Sequence, residues 1–356
     1  MRPTSGLTRS FREPPAQARP DLVCVADDYA EDAVTQQFPV EIPALVRLVR
    51  RVFRGASSVS VEDAGGGRPP VVYRATVDDG TFYLRIAEVP GDDLTTDAGI
   101  LGRLKVLGVS VPEVVVAEAA PAELDRSCMI VTEVPGHSLA RGGTDEDARR
   151  AVRAAGRDTA VLNSFSVEGF GWIRRTGTQP LAAELSGYGE FAVSDLPERW
   201  PGWLAGLFDQ AQLHALESLV ESDRVRPVRA AHLAHGDLDV THIYTRDGRY
   251  SGIIDFGETR GADLYFDLGH FLLHDGEARR AELFDSFLAG YTEVTALPGD
   301  HREAIRISAI LLGLRQLSLW LSPERGNSPD SPLARLRIAE LANLLEGKPA
   351  ARQRDA

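Results

Sequence analysis

Cysteine is almost missing from this chain, with Cys24 and Cys128 the two thiols in 356 residues. Two cysteines make no disulfide framework, and neither has metal-ligand spacing around it. Cys128 reads as a small buried residue and Cys24 as a thiol in a flexible region. Long apolar runs are missing too: nothing approaches the ~18–20 residues a membrane span needs. Residues 1–20 carry Arg2, Arg9, Arg12 and Arg19 with no apolar block behind them, so no secretory signal is expected and the protein is placed in the cytoplasm. Basic charge is also in short supply. The net charge of -13 argues against nucleic acid or an anionic membrane as the main partner and is compatible with a cationic one.

What is present suits a globular protein of two lobes. At 356 residues the chain exceeds one compact core, and 43% hydrophobic with 26% charged residues is ordinary globular composition. Residues 1–38 mix Pro, Arg, Gln and Asp without apolar periodicity and read as a flexible extension. A helix follows in EIPALVRLVRRVF, with Ile42, Leu45, Leu48, Val49 and Val52 on one face. The period then changes to two. VSVEDAGGG, VVYRATV and TFYLRIA read as strands, the last two joined at Asp78-Asp79-Gly80, where Gly accepts positive φ. A helix over about Thr95–Leu107 comes next, capped by Thr95 or Thr96 and stopped by Gly108. VPEVVVAE and SCMIVTEV are two further strands, and Pro135-Gly136 breaks the chain after them. The remainder is mainly helical. Helices are expected from Thr144 to Leu162, from about Trp203 to Glu221, and repeatedly between Tyr265 and Leu345, with two short strands flanking AHGDL and DFGE. Strands first and helices after predict an α+β fold rather than an alternating βαβ sheet. The expected division is an extension (1–38), a nucleotide-binding lobe (39–135) and a helical catalytic and substrate-binding lobe (136–356).

The chemistry concentrates in residues 232–271. His235-Gly236-Asp237 is followed by His242 and then by Asp255-Phe256-Gly257. Each acid stands where an apolar segment hands over to a loop, AAHLAHGD for one and YSGIID for the other. Phosphoryl transfer asks for this pairing: one carboxylate to take or orient the attacking hydroxyl's proton, another to hold Mg²⁺ against the phosphates. Turn or capping acids would also sit at strand ends, but two such acids in this order after a β-rich segment match the catalytic and metal-binding loops of the kinase fold.

On these residues the chain resembles the aminoglycoside phosphotransferase superfamily, over most of residues 40–345. The resemblance implies a bilobal protein-kinase-like fold, with a β-rich N-terminal lobe and a mainly helical C-terminal lobe. It also implies an O-phosphotransferase that moves the γ-phosphate of ATP or GTP, with Mg²⁺, onto a hydroxyl of a small molecule. Asp237 would be the catalytic base and Asp255 the principal metal ligand, while His235 braces the loop. Asp267 would be a structural acid at a helix start, with Asp263 near the substrate. His242 stands where most members carry a metal-binding Asn, as it does in the HGDLxxxH run of macrolide phosphotransferases. It either binds metal through water, hydrogen-bonds phosphate, or marks a weakened second metal site. Arg85 occupies the position of the phosphate-gripping Lys, keeping the charge on a planar fork. Asp97 falls where its Glu partner is expected, a longer cation facing a shorter anion.

Other features are less specific. Gly65-Gly66-Gly67 lies between the first two strands, where it is either a flexible turn or a phosphate-covering loop built on Gly66 and Gly67. Glu133 and Val134 fall at the expected hinge, where backbone groups would meet the purine. Glu258, Asp263 and Glu277 could form an acidic substrate surface, although Glu277 reads better as a solvated or helix-capping acid. His270 and His274 share a helix at i, i+4, but no third ligand is evident, and packing is the better reading. The leading substrate class is an antibiotic of aminoglycoside, macrolide or nucleoside type. The rivals are a metabolic kinase for a sugar, amino alcohol or homoserine, and a nucleotide-binding pseudokinase suggested by the altered Lys, Glu and Asn positions.

Overall fold

The computed structural model describes residues 40–64, 72–177, 180–279 and 282–348. The extension read over residues 1–38, with Cys24, and the glycines Gly65, Gly66 and Gly67 lie outside these residues.

The first part is an antiparallel sheet with two helices. Helix α1 (Ile42–Val52) starts with Pro43 in its first turn, where a missing N–H costs nothing. Then come β1 (Val59–Asp63), β2 (Val72–Val77), β3 (Gly80–Ile86), α2 (Thr95–Val106), β4 (Val114–Glu118) and β5 (Cys128–Thr132). The strands form one antiparallel sheet in the order β1-β2-β3-β5-β4. Leu45, Leu48 and Val49 of α1 pack on Tyr73, Ala75, Leu84, Ile86, Cys128 and Ile130. Full burial of such a side chain is worth roughly 1.5–3 kcal/mol, so this face alone fixes α1 on the sheet. Side chains alternate along a strand, so Arg85, between buried Leu84 and Ile86, points away from that core.

Two local expectations need correction here. In the β2–β3 hairpin the left-handed residue is Asp78 (φ 49°), not Gly80. Its Oδ1 repays the strain by accepting hydrogen bonds from the Ser57 and Ser58 N–H groups, each at 2.9 Å. Helix α2 is capped by neither Thr95 nor Thr96. Asp93 does that work, its Oδ1 accepting from the Thr95 N–H at 2.9 Å, while the Thr96 hydroxyl accepts from Gly177. Gly108 does end the helix with φ 84°.

The second part is helical with short strands threaded through it. Its elements are β6 (His137–Ser138), α3 (Asp145–Leu162), β7 (Ser166–Val167), β8 (Phe170–Ile173), β9 (Ala183–Leu185), α4 (Tyr188–Ser194), α5 (Trp200–Trp203) and α6 (Gln210–Arg224). They continue with β10 (Ala231–Ala234), β11 (Ile243–Arg246), β12 (Arg249–Ile253), β13 (Arg260–Ala262), α7 (Phe266–Leu273), α8 (Phe284–Thr292), α9 (His301–Trp320) and α10 (Pro332–Leu345). Thr144 caps α3 as expected. The helix expected from Trp203 begins instead at Gln210, because Asp209 and Gln212 form a reciprocal capping box there. The short strands pair as β7-β10-β13-β8-β9 and β12-β11-β6, more strand than the sequence suggested.

One large core runs through this part and takes in Ile100, Leu101 and Leu104 of α2 and Met129 of β5. Helices α3 and α8 touch through glycine on both sides: a Cβ on Gly156 would lie 2.1 Å from the Phe287 carbonyl, and one on Gly290 1.9 Å from that of Arg153. Cys128 is buried and free. Among the described residues no helix is long and apolar enough to cross a membrane.

Candidate active site

Strand β10 ends at Ala234, and the loop His235-Gly236-Asp237 follows it immediately. One buried carboxylate holds this loop. Asp267, in the first turn of α7, accepts from the His235 N–H (2.9 Å) and the Gly236 N–H (3.0 Å). Asn163 at the end of α3 donates to the same carboxylate at 2.9 Å. Gly236 has φ 92°, and a Cβ there would sit 1.9 Å from the Glu258 carbonyl, so no other residue fits. The His235 ring donates from Nε2 to the Ile254 carbonyl (3.0 Å) and accepts the Asp237 N–H on Nδ1 (3.3 Å), tying this loop to the one after β12.

That second loop carries Asp255, one residue past the apolar Ile253-Ile254 pair. Asp255 has φ 62°, ψ 72°, a left-handed conformation that Asp tolerates better than most residues. The turn aims its carboxylate outward, and its Oδ1 accepts from the Gly257 N–H at 3.3 Å.

His242 stands between the two acids. Its Nδ1 donates to the Asp237 carbonyl at 2.6 Å and lies 3.8 Å from Asp237 Oδ2; its Nε2 lies 4.0 Å from Asp255 Oδ2. Burial disfavours a charged ring there, but Asp237, Asp239 and Asp255 outweigh it and push the pKa up to about 9. The three acids thus favour the protonated ring. Burial raises the Asp237 carboxyl well above its ordinary value. Asp255, its side chain open to solvent, goes the other way: against some desolvation by its surroundings, His242 and Arg85 hold its carboxyl below the usual range. The two acids are thus separated in basicity, the arrangement that lets one take a proton while the other stays charged.

Arg85 of β3 comes to the same place. Its guanidinium lies against Gly257, where a Cβ would be 2.9 Å from Nη2. The Arg85–Asp97 pair exists at 3.9 Å, but the closer partner of Asp97 is Arg175, at 3.0 Å, which also donates to the Gly257 carbonyl at 2.8 Å. Arg175 therefore links α2 to the Asp255 loop. Glu133 and Val134 follow β5, the Glu133 N–H donating to the Thr81 carbonyl at 3.3 Å, and neither lines the cavity described next.

A cavity of about 720 Å³ opens beside the two acid loops, lined by Arg85, Gly236, Gly257, Glu258, Trp172 and Arg260 among others. Arg260 stacks on the Trp172 ring at 4.1 Å and pairs with Glu258 at 2.8 Å. A smaller cavity of about 230 Å³ holds Asp263, ion-paired with Arg226, and shares Phe266, Leu312 and Arg315 with the larger one. Glu277 is a correction. It is not a solvated acid but lies in the interior, 2.9 Å from Arg337 and 3.0 Å from His274 Nδ1.

Among the described residues no three His, Cys, Asp or Glu side chains converge as a metal cage. The donor set does suit a hard cation bridged to phosphate, which needs one or two carboxylates and supplies the rest from water and ligand. Asp255, 54% exposed at its side chain, meets that need.

The model of the phosphotransferase enzyme family matches residues 60–305. No curated protein matches the chain. Among solved structures, the aminoglycoside phosphotransferase APH(4)-Ia superposes with a TM-score of 0.60 at 17% identity, covering 86% of this chain and 99% of that one. A thermostable mutant of it is known as a ternary complex with ADP and hygromycin B. An amicoumacin kinase bound to AMP-PNP and Ca²⁺ gives 0.56 at 13% identity, with 83% and 90% covered. A protein assigned as a fructosamine-3-kinase from Thermobifida fusca gives 0.52 at 20% identity, with 83% and 100% covered. At these identities the likeness establishes a shared fold.

Proposed function

The chain belongs to the phosphotransferase enzyme family, and from that premise we propose that it transfers the γ-phosphoryl group of a purine nucleoside triphosphate to a hydroxyl of a small molecule. The observation that carries the reading is the convergence of Asp237 and Asp255 on His242, at 3.8 Å and 4.0 Å, beside one cavity. Nucleotide binding alone calls for a metal-holding acid such as Asp255, while Asp237 adds the base that transfer needs.

Asp237 is the base. The acceptor oxygen attacks the γ-phosphorus, the bond to the bridging oxygen breaks, the hydroxyl proton passes to Asp237, and the nucleoside diphosphate leaves. A carboxyl raised by burial is a better proton acceptor near neutrality than an ordinary one. Asp255 is the ligand for Mg²⁺, which supplies charge neutralisation at the phosphates. His242, as an imidazolium, adds a fixed positive charge and hydrogen-bonds phosphate, taking part of the work of a second metal. Arg85 grips the nucleotide phosphates from β3. ADP and AMP-PNP in the structural neighbours support ATP as donor, with GTP the alternative.

The acceptor is a hydroxylated small molecule, and hygromycin B in a neighbour's complex supports an antibiotic. The likeness to a fructosamine-3-kinase favours, as a second reading, a sugar-derived metabolite. The test is a plate of Mg²⁺-ATP and Mg²⁺-GTP against aminoglycosides, macrolides, nucleoside antibiotics and simple sugars, with products read by mass. A product carrying one added phosphoryl group supports the proposal. No product with any pair, together with no Mg²⁺-nucleotide binding, overturns it.

A further inference from the structure

We infer that His270 is a positioning residue that anchors the Asp237 carboxylate, fixing which oxygen faces the acceptor; the inference rests on the reading of Asp237 as base. Helix α7 serves the Asp237 loop twice. Its first turn supplies Asp267 to the backbone N–H groups, and one turn on, at i+3, His270 reaches the Asp237 side chain. His270 is 3% exposed and its ring lines the large cavity.

The hydrogen bonding of the ring sets its direction. Nδ1 lies 3.2 Å from the Leu238 carbonyl, which can only accept, so Nδ1 donates there. Nε2 is left facing Asp237 Oδ1 at 3.4 Å. Among the described residues that buried oxygen makes no hydrogen bond of its own. Two lone pairs do not face each other at this range without cost, so the ionised Asp237 that serves as base requires the shared proton on Nε2, against the burial of the ring, and Oδ1 accepts it. Oδ1 is thereby occupied, and Oδ2, on the His242 side, is the oxygen left for the acceptor hydroxyl. A carboxylate without such an anchor turns freely about its last torsion.

A second layer keeps the ring in place. His274 lies against His270 with ring centroids 4.4 Å apart. It is itself held by Glu277 at 3.0 Å and by Gln316 at 3.2 Å, and Glu277 by Arg337 at 2.9 Å. A position that needed only packing would not require this train of polar groups behind it.

Two measurements decide the matter. In ¹⁵N-histidine NMR of the full chain, His270 is identified among the eight histidines by its loss in His270→Gln. Asp237→Ala should shift its Nε2 resonance and leave the Nδ1–H signal intact. An Nε2 signal indifferent to Asp237 overturns the inference, and this arm stands whether or not the protein turns nucleotide over. The kinetic arm uses Mg²⁺-ATP with water as acceptor. His270→Leu should lower kcat about 10- to 100-fold with the nucleotide KM within about twofold. His270→Gln, whose amide can donate to Oδ1 from the Nε2 position, should recover most of it. In an Asp237→Ala background His270→Leu should cost nothing more. Unchanged kcat in His270→Leu, failure of Gln to rescue, or a further loss in the Asp237→Ala background would each overturn the inference.

Discussion

Replacing Asp267 by Ala removes the acceptor of two N–H groups in the loop after β10. The His235 and Gly236 N–H groups are both buried and both donate to this carboxylate. Asn163 is less affected, because its Nδ2 also donates to the Leu233 carbonyl at 2.9 Å. Two orphaned buried donors cost about 1–3 kcal/mol each, giving a range of about 2–6 kcal/mol. Removing a carboxylate only 1% exposed returns some of its desolvation penalty, which places the expected loss near 3 kcal/mol. That is a large share of a typical folding free energy of about 5–15 kcal/mol. Asp267→Asn keeps one acceptor oxygen and turns an NH₂ toward one donor, so about half the loss is expected. Urea unfolding followed by tryptophan fluorescence measures both variants, and nucleotide turnover in the folded fraction should fall with loop order. An Asp267→Ala variant within about 1 kcal/mol of wild type, turning over normally, would refute the claim that this carboxylate organises the loop.

Arg175 and Arg85 should separate in assay. Arg175→Met strips buried Asp97 of its 3.0 Å partner and should cost about 3–5 kcal/mol in thermal unfolding, whereas Arg85→Met, at 3.9 Å, should cost far less stability but raise the nucleotide KM. Equal effects of the two on both readouts would contradict this division. His242 makes stability depend on pH. Its folded pKa of about 9 is above its ordinary 6.5, so its contribution of about 3 kcal/mol is fully present below about pH 6.5 and is lost as pH rises through about 9. His242→Gln should flatten that slope, and a wild-type unfolding midpoint constant across the window would argue against the raised pKa. Gly236→Ala forces a Cβ to within 1.9 Å of a carbonyl at φ 92°, and should cost at least about 3 kcal/mol along with activity.

The parts legible in the sequence were those with a local signal. Period-two alternation marked β2 and β3, because half their side chains face α1 and half do not. Gly108 and Thr144 marked helix ends through their own backbone geometry and hydroxyl. The two acid loops were legible because each ends an apolar strand. Strands β7, β8 and β9 run for two to four residues, too short to show a period, and are specified by partners far along the chain. Arg175 gave no sign because its role lies in reaching Asp97, 78 positions away, from an irregular segment. His270 did carry a signal, the i, i+4 pair with His274, but spacing alone speaks for packing or metal. Its contact with Asp237 depends on how α7 lies against the loop after β10.

The central claim is that Asp237 takes the acceptor's proton while the nucleotide is held by other groups. It is tested by comparing wild type with Asp237→Ala for nucleotide binding and for transfer of a phosphoryl group to the acceptor found on the plate. The account predicts that nucleotide affinity is retained within a few-fold while transfer falls by about 10²-fold or more. Transfer by Asp237→Ala near the wild-type rate would contradict it.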